Sequence, residues 1–225
     1  ASVFDDVNLA SLVASAYRSV GSDFLLNLKG DFTVVLRDII KGITIVSIDR
    51  LGRSNMFYSI NDESEIIFGN NADSLLKHPS VSNKIDFQSI YNYMCFHVIP
   101  SPRTIYENIK KMEPAQYLLI TNENVQIKKY WIPTFSSSKD NIDALGNRLH
   151  VLFEQEFKRL KNCENLGAFL SGGLDSSTVA GMMAKHHQNS DNTYTIGFAD
   201  EAYNEIDYAR ITAKHFSVRC HEYYV

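Results

Sequence analysis

No long apolar run, no basic cluster and no closely spaced cysteines occur in these 225 residues. Each absence removes a class of protein. Without a stretch of bilayer length there is no candidate for a membrane-spanning helix, and no signal peptide or lipidation motif is visible. Lys and Arg number 22 against 26 Asp and Glu, a formal net charge of -4, and with no basic run the chain does not read as a nucleic-acid surface. Cys95, Cys163 and Cys220 lie far apart and lack metal-ligand spacing, so buried thiols in a reducing cytoplasm are the expectation. Hydrophobic residues at 44% can fill a core, which argues against a disordered chain. The length suits one large domain or two modest ones.

What is present is concentrated in Leu166 to Ala180, LGAFLSGGLDSSTVA. Leu166, Ala168, Phe169 and Leu170 form a short apolar run that stops at Ser171-Gly172-Gly173, and beyond it Val179, Met182 and Met183 recur at helical spacing. The pattern is strand, glycine turn, helix. The start of such a helix carries unpaired N–H groups and the positive end of a dipole, a ready place for an anion. Gly172 and Gly173 can both take positive φ and let backbone close on a phosphate, while Ser171, Ser176 and Ser177 bring hydroxyls to the same pocket. No lysine follows the glycines, so the GxxxxGKS/T nucleotide loop is excluded. Asp175 stands in the helix's first turn instead. It repels phosphate directly but can hold a Mg²⁺ ion that bridges phosphate oxygens. A solvated Asp beside an ordinary double-glycine turn is the plainer alternative. The serines and Asp175 at fixed offsets favour the phosphate site.

The rest of the chain reads in two parts. Val7 to Val20 has a helical apolar face closed by Gly21; strands follow at Phe32–Leu36, Ile43–Ile48, Met56–Ile60 and Glu65–Phe68, joined by short turns such as Lys41-Gly42. Strands behind a helix imply a layered α+β domain with antiparallel sheets. Asp86 to His97 reads as a helix with Phe87, Ile90, Tyr91 and Met94 on one face, ended by Pro100 and Pro102. Short strands and turns run on to Trp131. Ser136-Ser137-Ser138-Lys139 is the best boundary, dividing the chain into domains 1–135 and 136–225. Asp140 or Asn141 then caps a long helix whose Ile142, Leu145, Leu149, Leu152, Phe153, Phe157 and Leu160 are expected in the core. After the loop and its helix come a strand at Thr193–Phe198, a helix at Asn204–Phe216 and a strand at Arg219–Val225. This β-α-β-α-β succession implies a parallel sheet, whose ligands bind at the carboxyl ends of strands. His186 and His187, at a helix end, are expected to be solvated rather than metal-bound. Asp200-Glu201 and Glu205-Asp207 supply charge near the second strand's exit and read as a solvated loop, with contact to Mg²⁺ or substrate by one of them as the alternative.

The motif SGGLDSS resembles the pyrophosphate loop of the N-type ATP pyrophosphatases, which include asparagine synthetases and β-lactam synthetases. Leu28-Lys29-Gly30-Asp31-Phe32 and Asp49-Arg50-Leu51-Gly52 with Phe57-Tyr58 likewise resemble the later part of a class II glutamine amidotransferase domain, pattern DRxGxxPLYY, with Asn55 where that pattern has proline. Phe68 to Ala72, Ser101 to Ile105 and Pro114 to Leu118 resemble segments that follow in asparagine synthetases. The resemblance implies an Ntn-hydrolase-like α+β first part and an adenine nucleotide α-hydrolase-like α/β second part. It implies ATP and Mg²⁺, with Ser171, Gly172, Gly173, Leu174 and Ser176 gripping phosphates, Asp175 on Mg²⁺, and Leu170, Ile196 and Gly197 at the adenine. For Leu170 and Ile196 a plain core role stays open.

In that family the glutaminase nucleophile is a cysteine at the mature N-terminus, and RGP and NGEIYN motifs hold glutamine. Ala1 cannot be a nucleophile and both motifs are absent, so no glutaminase residue is named; the chain is expected to be a segment of a longer protein, with loss of glutamine hydrolysis as the alternative. By resemblance the whole protein makes asparagine from aspartate, ATP and glutamine-derived ammonia. Small molecules are its expected partners, without nucleic acid or membrane, and a homodimer is left open. A cyclising amide ligase of the β-lactam synthetase or lasso-peptide cyclase type is the alternative, and a non-catalytic binding protein of the same fold a second.

Overall fold

A computed structural model describes residues 6–61, 65–160, 163, 166–187, 192–200 and 204–225; Ala1, the turn residues 62–64 and Glu201 lie outside these. The chain divides into two compact units, residues 2–135 and 136–225.

The first unit opens with α1 (Asp6–Val20) and a 3₁₀ turn (Gly21–Asn27), then β1 (Thr33–Asp38), β2 (Ile43–Ile48), β3 (Phe57–Ile60) and β4 (Ile66–Gly69). Two short helices, α2 (Ala72–Leu75) and α3 (Phe87–Phe96), precede β5 (Lys110–Lys111), β6 (Gln116–Ile120) and β7 (Val125–Lys129). The strands form two antiparallel sheets, ordered β1-β2-β6-β7 and β4-β3-β5. Side chains alternate across a strand, and β2 uses both faces. Ile45 joins Tyr117 under Tyr17, Phe24 and Leu25, whereas Val46 and Ile48 join Leu118 against Met56, Tyr58 and Met112. This double burial explains why ITIVSI reads as a nearly continuous apolar run rather than an alternating one.

One carboxylate organises the turn between β2 and β3. Asp49 is 1% exposed, and its side chain accepts the N–H groups of Leu51 at 3.1 Å, Arg53 at 3.1 Å and Ser54 at 2.9 Å. Its backbone N–H donates to the Phe32 carbonyl, and its own carbonyl accepts Gly52 and Ala115. Gly52 sits at φ +65°, with the Pro114 ring 3.0 Å from where a Cβ would be. Burial of the Asp49 carboxyl opposes its ionisation, but the N–H groups of Ser54, Arg53 and Leu51 overcome that and hold it below the usual aspartate range.

The α3 helix follows its reading closely in extent, with Asp86 capping the Gln88 N–H at 3.0 Å and His97 closing it in the left-handed region. Phe87, Ile90, Tyr91 and Met94 on its apolar face are all exposed.

The second unit holds α4 (Ile142–Arg159), β8 (Gly167–Phe169), α5 (Leu174–His186), β9 (Asn192–Gly197), α6 (Ile206–Phe216) and β10 (Arg219–Tyr224). The three strands are parallel, ordered β10-β9-β8. Asn141, not Asp140, caps α4 by accepting the Ala144 N–H at 2.8 Å. The expected core stripe on α4 is corrected: none of its residues is buried, and Ile142, Leu145, Leu149 and Leu152 are exposed. Only Phe153, Glu154 and Phe157 are half-covered, because the helix meets α5 along that flank. Glu154 pairs there with Lys185 and, at 2.8 Å, with His186 Nε2. The expectation of solvated histidines is likewise corrected, since His187 is buried and His186 sits under Glu154. Among the described residues no helix is long and apolar enough to cross a membrane.

Asp49→Asn places an NH₂ donor against an N–H of the turn, and we expect it to cost about 2 kcal/mol in denaturant unfolding. The folded carboxyl titrates below the unfolded one, so its stabilisation is complete above about pH 4 and is lost as pH falls through the folded value. The difference between wild type and Asp49→Asn should therefore hold at neutral pH and shrink in acid.

Candidate functional site

β8 ends at Phe169 because the next residue turns into the core. Leu170, 2% exposed, packs among Ala180, Ala209, Ala213 and Val218, and its N–H donates to the Tyr194 carbonyl at 2.8 Å. The chain then reverses at Gly172, φ +84°, where a Cβ would lie 2.4 Å from the backbone carbon and Cβ of Tyr208 and 2.7 Å from the Ala209 nitrogen. Gly173 departs from expectation. It is the N-cap of α5 at φ -70°, ψ 165°, an extended conformation open to any residue, and a Cβ there would meet only Ser171 Oγ at 3.4 Å. The two adjacent glycines thus serve different needs: Gly172 a positive φ and a close approach, Gly173 open space on the loop.

The serines also divide. Ser176 Oγ accepts the Ser171 N–H at 3.2 Å, lies 3.0 Å from Ser171 Oγ and 3.2 Å from the Gly173 carbonyl, and Ser171 Oγ accepts the Gly173 N–H at 3.3 Å. These bonds fasten the loop to the first turn of α5. Ser177 does not reach the same pocket, contrary to expectation. One residue on, and about 100° further around the helix, its hydroxyl lies 3.2 Å from Thr212 Oγ1 on α6.

An open cleft of about 280 Å³ lies at the carboxyl ends of β8 and β9. Of the residues expected at the site, Leu170, Ser171, Ser176 and Ile196 line it. Gly172 lies behind the loop against α6, and Gly173, Leu174 and Asp175 are exposed on α5's first turn and its cap. Gly197 is buried, its Cβ position filled by Ile206 and Tyr224, so it supports the strand end rather than facing the cleft. Phe169, Tyr194 and Thr195 line it without having been anticipated, and Phe198 at the expected strand end and Glu205 of the charged segment beside it line it too. Period-two alternation with Ile196 was the available signal for Tyr194 and Phe198. Asp200 and Asp207 are not among the residues lining the cleft.

The donor set bears on the metal. Among the described residues no three His, Cys, Asp or Glu side chains gather where they could hold an ion. Asp175 alone is no protein cage. A lone carboxylate does suit Mg²⁺ that arrives on phosphate oxygens and keeps most of its own ligands.

Behind the cleft, α6 is tied to β10. Arg210 donates through Nε and Nη2 to the two Glu222 oxygens at 2.7 Å each, and Tyr224 Oη donates to Glu222 at 2.8 Å. The Arg210 hydrogen bonds, then that of Tyr224, hold the Glu222 carboxyl below its usual range.

The two glycines should respond oppositely to alanine. Gly172→Ala adds a methyl inside van der Waals contact with the Tyr208 backbone at a positive φ, and should lower stability by about 2–4 kcal/mol. Gly173→Ala should leave the melting temperature near wild type. Thermal unfolding followed by circular dichroism checks both.

Comparison with known proteins bears on both units. Residues 9–131 match the model of the glutamine amidotransferase domain, and residues 149–225 that of asparagine synthase. A Methanocaldococcus jannaschii protein with the provisional name asparagine synthetase (glutamine-hydrolysing) 2 is 31% identical over 95% of this chain and 42% of its own length. Asparagine synthetase (glutamine-hydrolysing) 1 of Bacillus subtilis is 25% identical over 90% of this chain and 32% of its own. The chain therefore spans less than half the length of these curated relatives. A solved Bacillus subtilis glutamine phosphoribosylpyrophosphate amidotransferase, complexed with ADP and GMP, aligns at 15% identity over 98% of this chain and 40% of that one. Its TM-score of 0.35 is too low to carry an argument. The two domain matches, in this order along one polypeptide, show that the chain belongs to the asparagine synthetase family.

Proposed function

We propose that the loop from Ser171 to Ser176 grips the phosphates of ATP, and that the whole protein joins a carboxylic acid to ammonia, with aspartate as acid and asparagine as product. The observation that carries this reading is local. A helix start lies at the carboxyl end of a parallel strand, its cap is an exposed glycine whose Cβ position meets only Ser171 Oγ, and an apolar cleft opens beside it. The N–H groups of α5's first turn have no acceptor within the helix and, with the dipole, suit a phosphate of the leaving pyrophosphate. The names of the relatives add the acid and the ammonia source.

In this reading Leu170 and Ile196 wall the adenine, and Gly172, Gly173 and Leu174 let backbone meet phosphate. Ser171 and Ser176 hold the loop in shape and face the cleft. Asp175 holds Mg²⁺, which when bound neutralises phosphate charge. The acid attacks the α-phosphorus and pyrophosphate leaves; ammonia then attacks the acyl carbon of the resulting acyl-adenylate and AMP leaves. The residues of this chain contribute position and a fixed field rather than a proton. Glutamine hydrolysis, the source of the ammonia in this reading, is given no residue within these 225.

The test is ATP–pyrophosphate exchange by the protein with aspartate and Mg²⁺. Aspartate-dependent exchange is expected, and Asp175→Ala should lower it about 100-fold or more. Exchange driven by another carboxylic acid and not by aspartate would favour a cyclising ligase. Exchange unaffected by Asp175→Ala would remove the loop from the chemistry.

A further inference from the structure

The Ser177–Thr212 hydroxyl pair lies outside the cleft and has no part in the scheme above. It joins the first turns of α5, where the N–H donors sit, to the middle of α6. That helix is a firm support. Ile206, Ala209 and Ala213 are buried in the unit's core, and Arg210 binds Glu222 of β10 through two hydrogen bonds while also donating to Asp207 at 3.0 Å. The loop touches the same helix one turn earlier, where Gly172 lies against Tyr208 and Ala209. Gly172 thus fixes the entry of the turn against α6, and Ser177 fixes its exit.

The neighbours of Ser177 cannot substitute for it. Ser176 is engaged with Ser171 and the Gly173 carbonyl, and Thr178 donates back to the Leu174 carbonyl at 2.8 Å. Of the three consecutive hydroxyls, one therefore closes the loop on itself, one bonds its own helix, and one reaches a neighbouring element. We propose that Thr212 is a positioning residue: through Ser177 it holds the anion-binding turn of α5 at a fixed distance from α6, pre-organising the donors for pyrophosphate. This rests on the phosphate reading of the loop. Thr212 touches no substrate. Its effect is to spare the bound state an ordering cost that a looser turn would incur.

The experiment is calorimetric titration of the protein with magnesium pyrophosphate, alongside melting temperature. Thr212→Val keeps the volume and removes the hydroxyl, and should weaken pyrophosphate binding about fivefold while the protein stays folded. Thr212→Ser, which restores the hydroxyl, should return binding to near the wild-type value. Ser177→Ala should match Thr212→Val, and the double variant should be no weaker than either single, since the two share one interaction. Rescue by serine and this non-additivity separate positioning from a general loss of packing, which would give neither. If wild type binds and Thr212→Val binds equally well, or if the two single effects add, the inference falls and the phosphate reading stands. If wild type takes up no magnesium pyrophosphate, the phosphate reading falls and this inference with it.

Discussion

Backbone meets backbone where Gly172 rests on α6, and the geometry of the second unit follows from that contact. A side chain at residue 172 would occupy the space of the Tyr208 main chain. Because the residue has none, the segment after β8 can turn at once, and α5 begins directly over the carboxyl end of the sheet. Leu170 secures the other side of the turn, anchored in the core two residues earlier and hydrogen-bonded to Tyr194. A turn held from beneath and from behind has little freedom, and its helix start is aimed by the fold rather than by whatever it binds.

The first unit solves a related problem differently, and the contrast explains why only one of the two turns is a candidate anion site. Between β2 and β3 the N–H groups of Leu51, Arg53 and Ser54 converge much as those of a phosphate loop do. Asp49, built into the chain, already occupies them. The site is closed by its own anion, and its function is to hold two strands together. In the loop after β8 the internal acceptors are neutral serine oxygens, and they take the N–H groups of Ser171 and Gly173. The acid of that loop, Asp175, is exposed on the first turn and forms no such clasp. The N–H groups of that helix's first turn are left without a built-in carboxylate clasp.

The order of helices and strands was legible because periodicity reports it directly: α1, α3, α4 and the strands of both units stand within a few residues of their expected positions. Periodicity also states which residues share a face, but not what covers that face. This is why the stripe on α4 was assigned to a core and is exposed. At the loop, the motif identified the segment and missed the roles within it. Gly172 and Gly173 look alike as letters, and Ser176 and Ser177 differ only by one step around a helix. Their separate roles depend on where α6 passes, a contact 35 residues away in sequence from Ser177. His186 and His187 show the same limit, since a helix end reads as solvated until another helix lies across it.

The apolar residues expected at the cleft differ in how much of themselves they show it. Along β9 the side chains that face the helices are small, Thr193, Thr195 and the bare Gly197, which lets Ile206 of α6 come close. The larger ones, Tyr194, Ile196 and Phe198, point the other way and remain exposed. Ile196, half exposed at the end of a parallel strand, has a free apolar surface on the cleft. Leu170 is the opposite case. Buried among alanines, it is core first, and what it shows the cleft is the edge of a residue whose main work is to hold the turn in place.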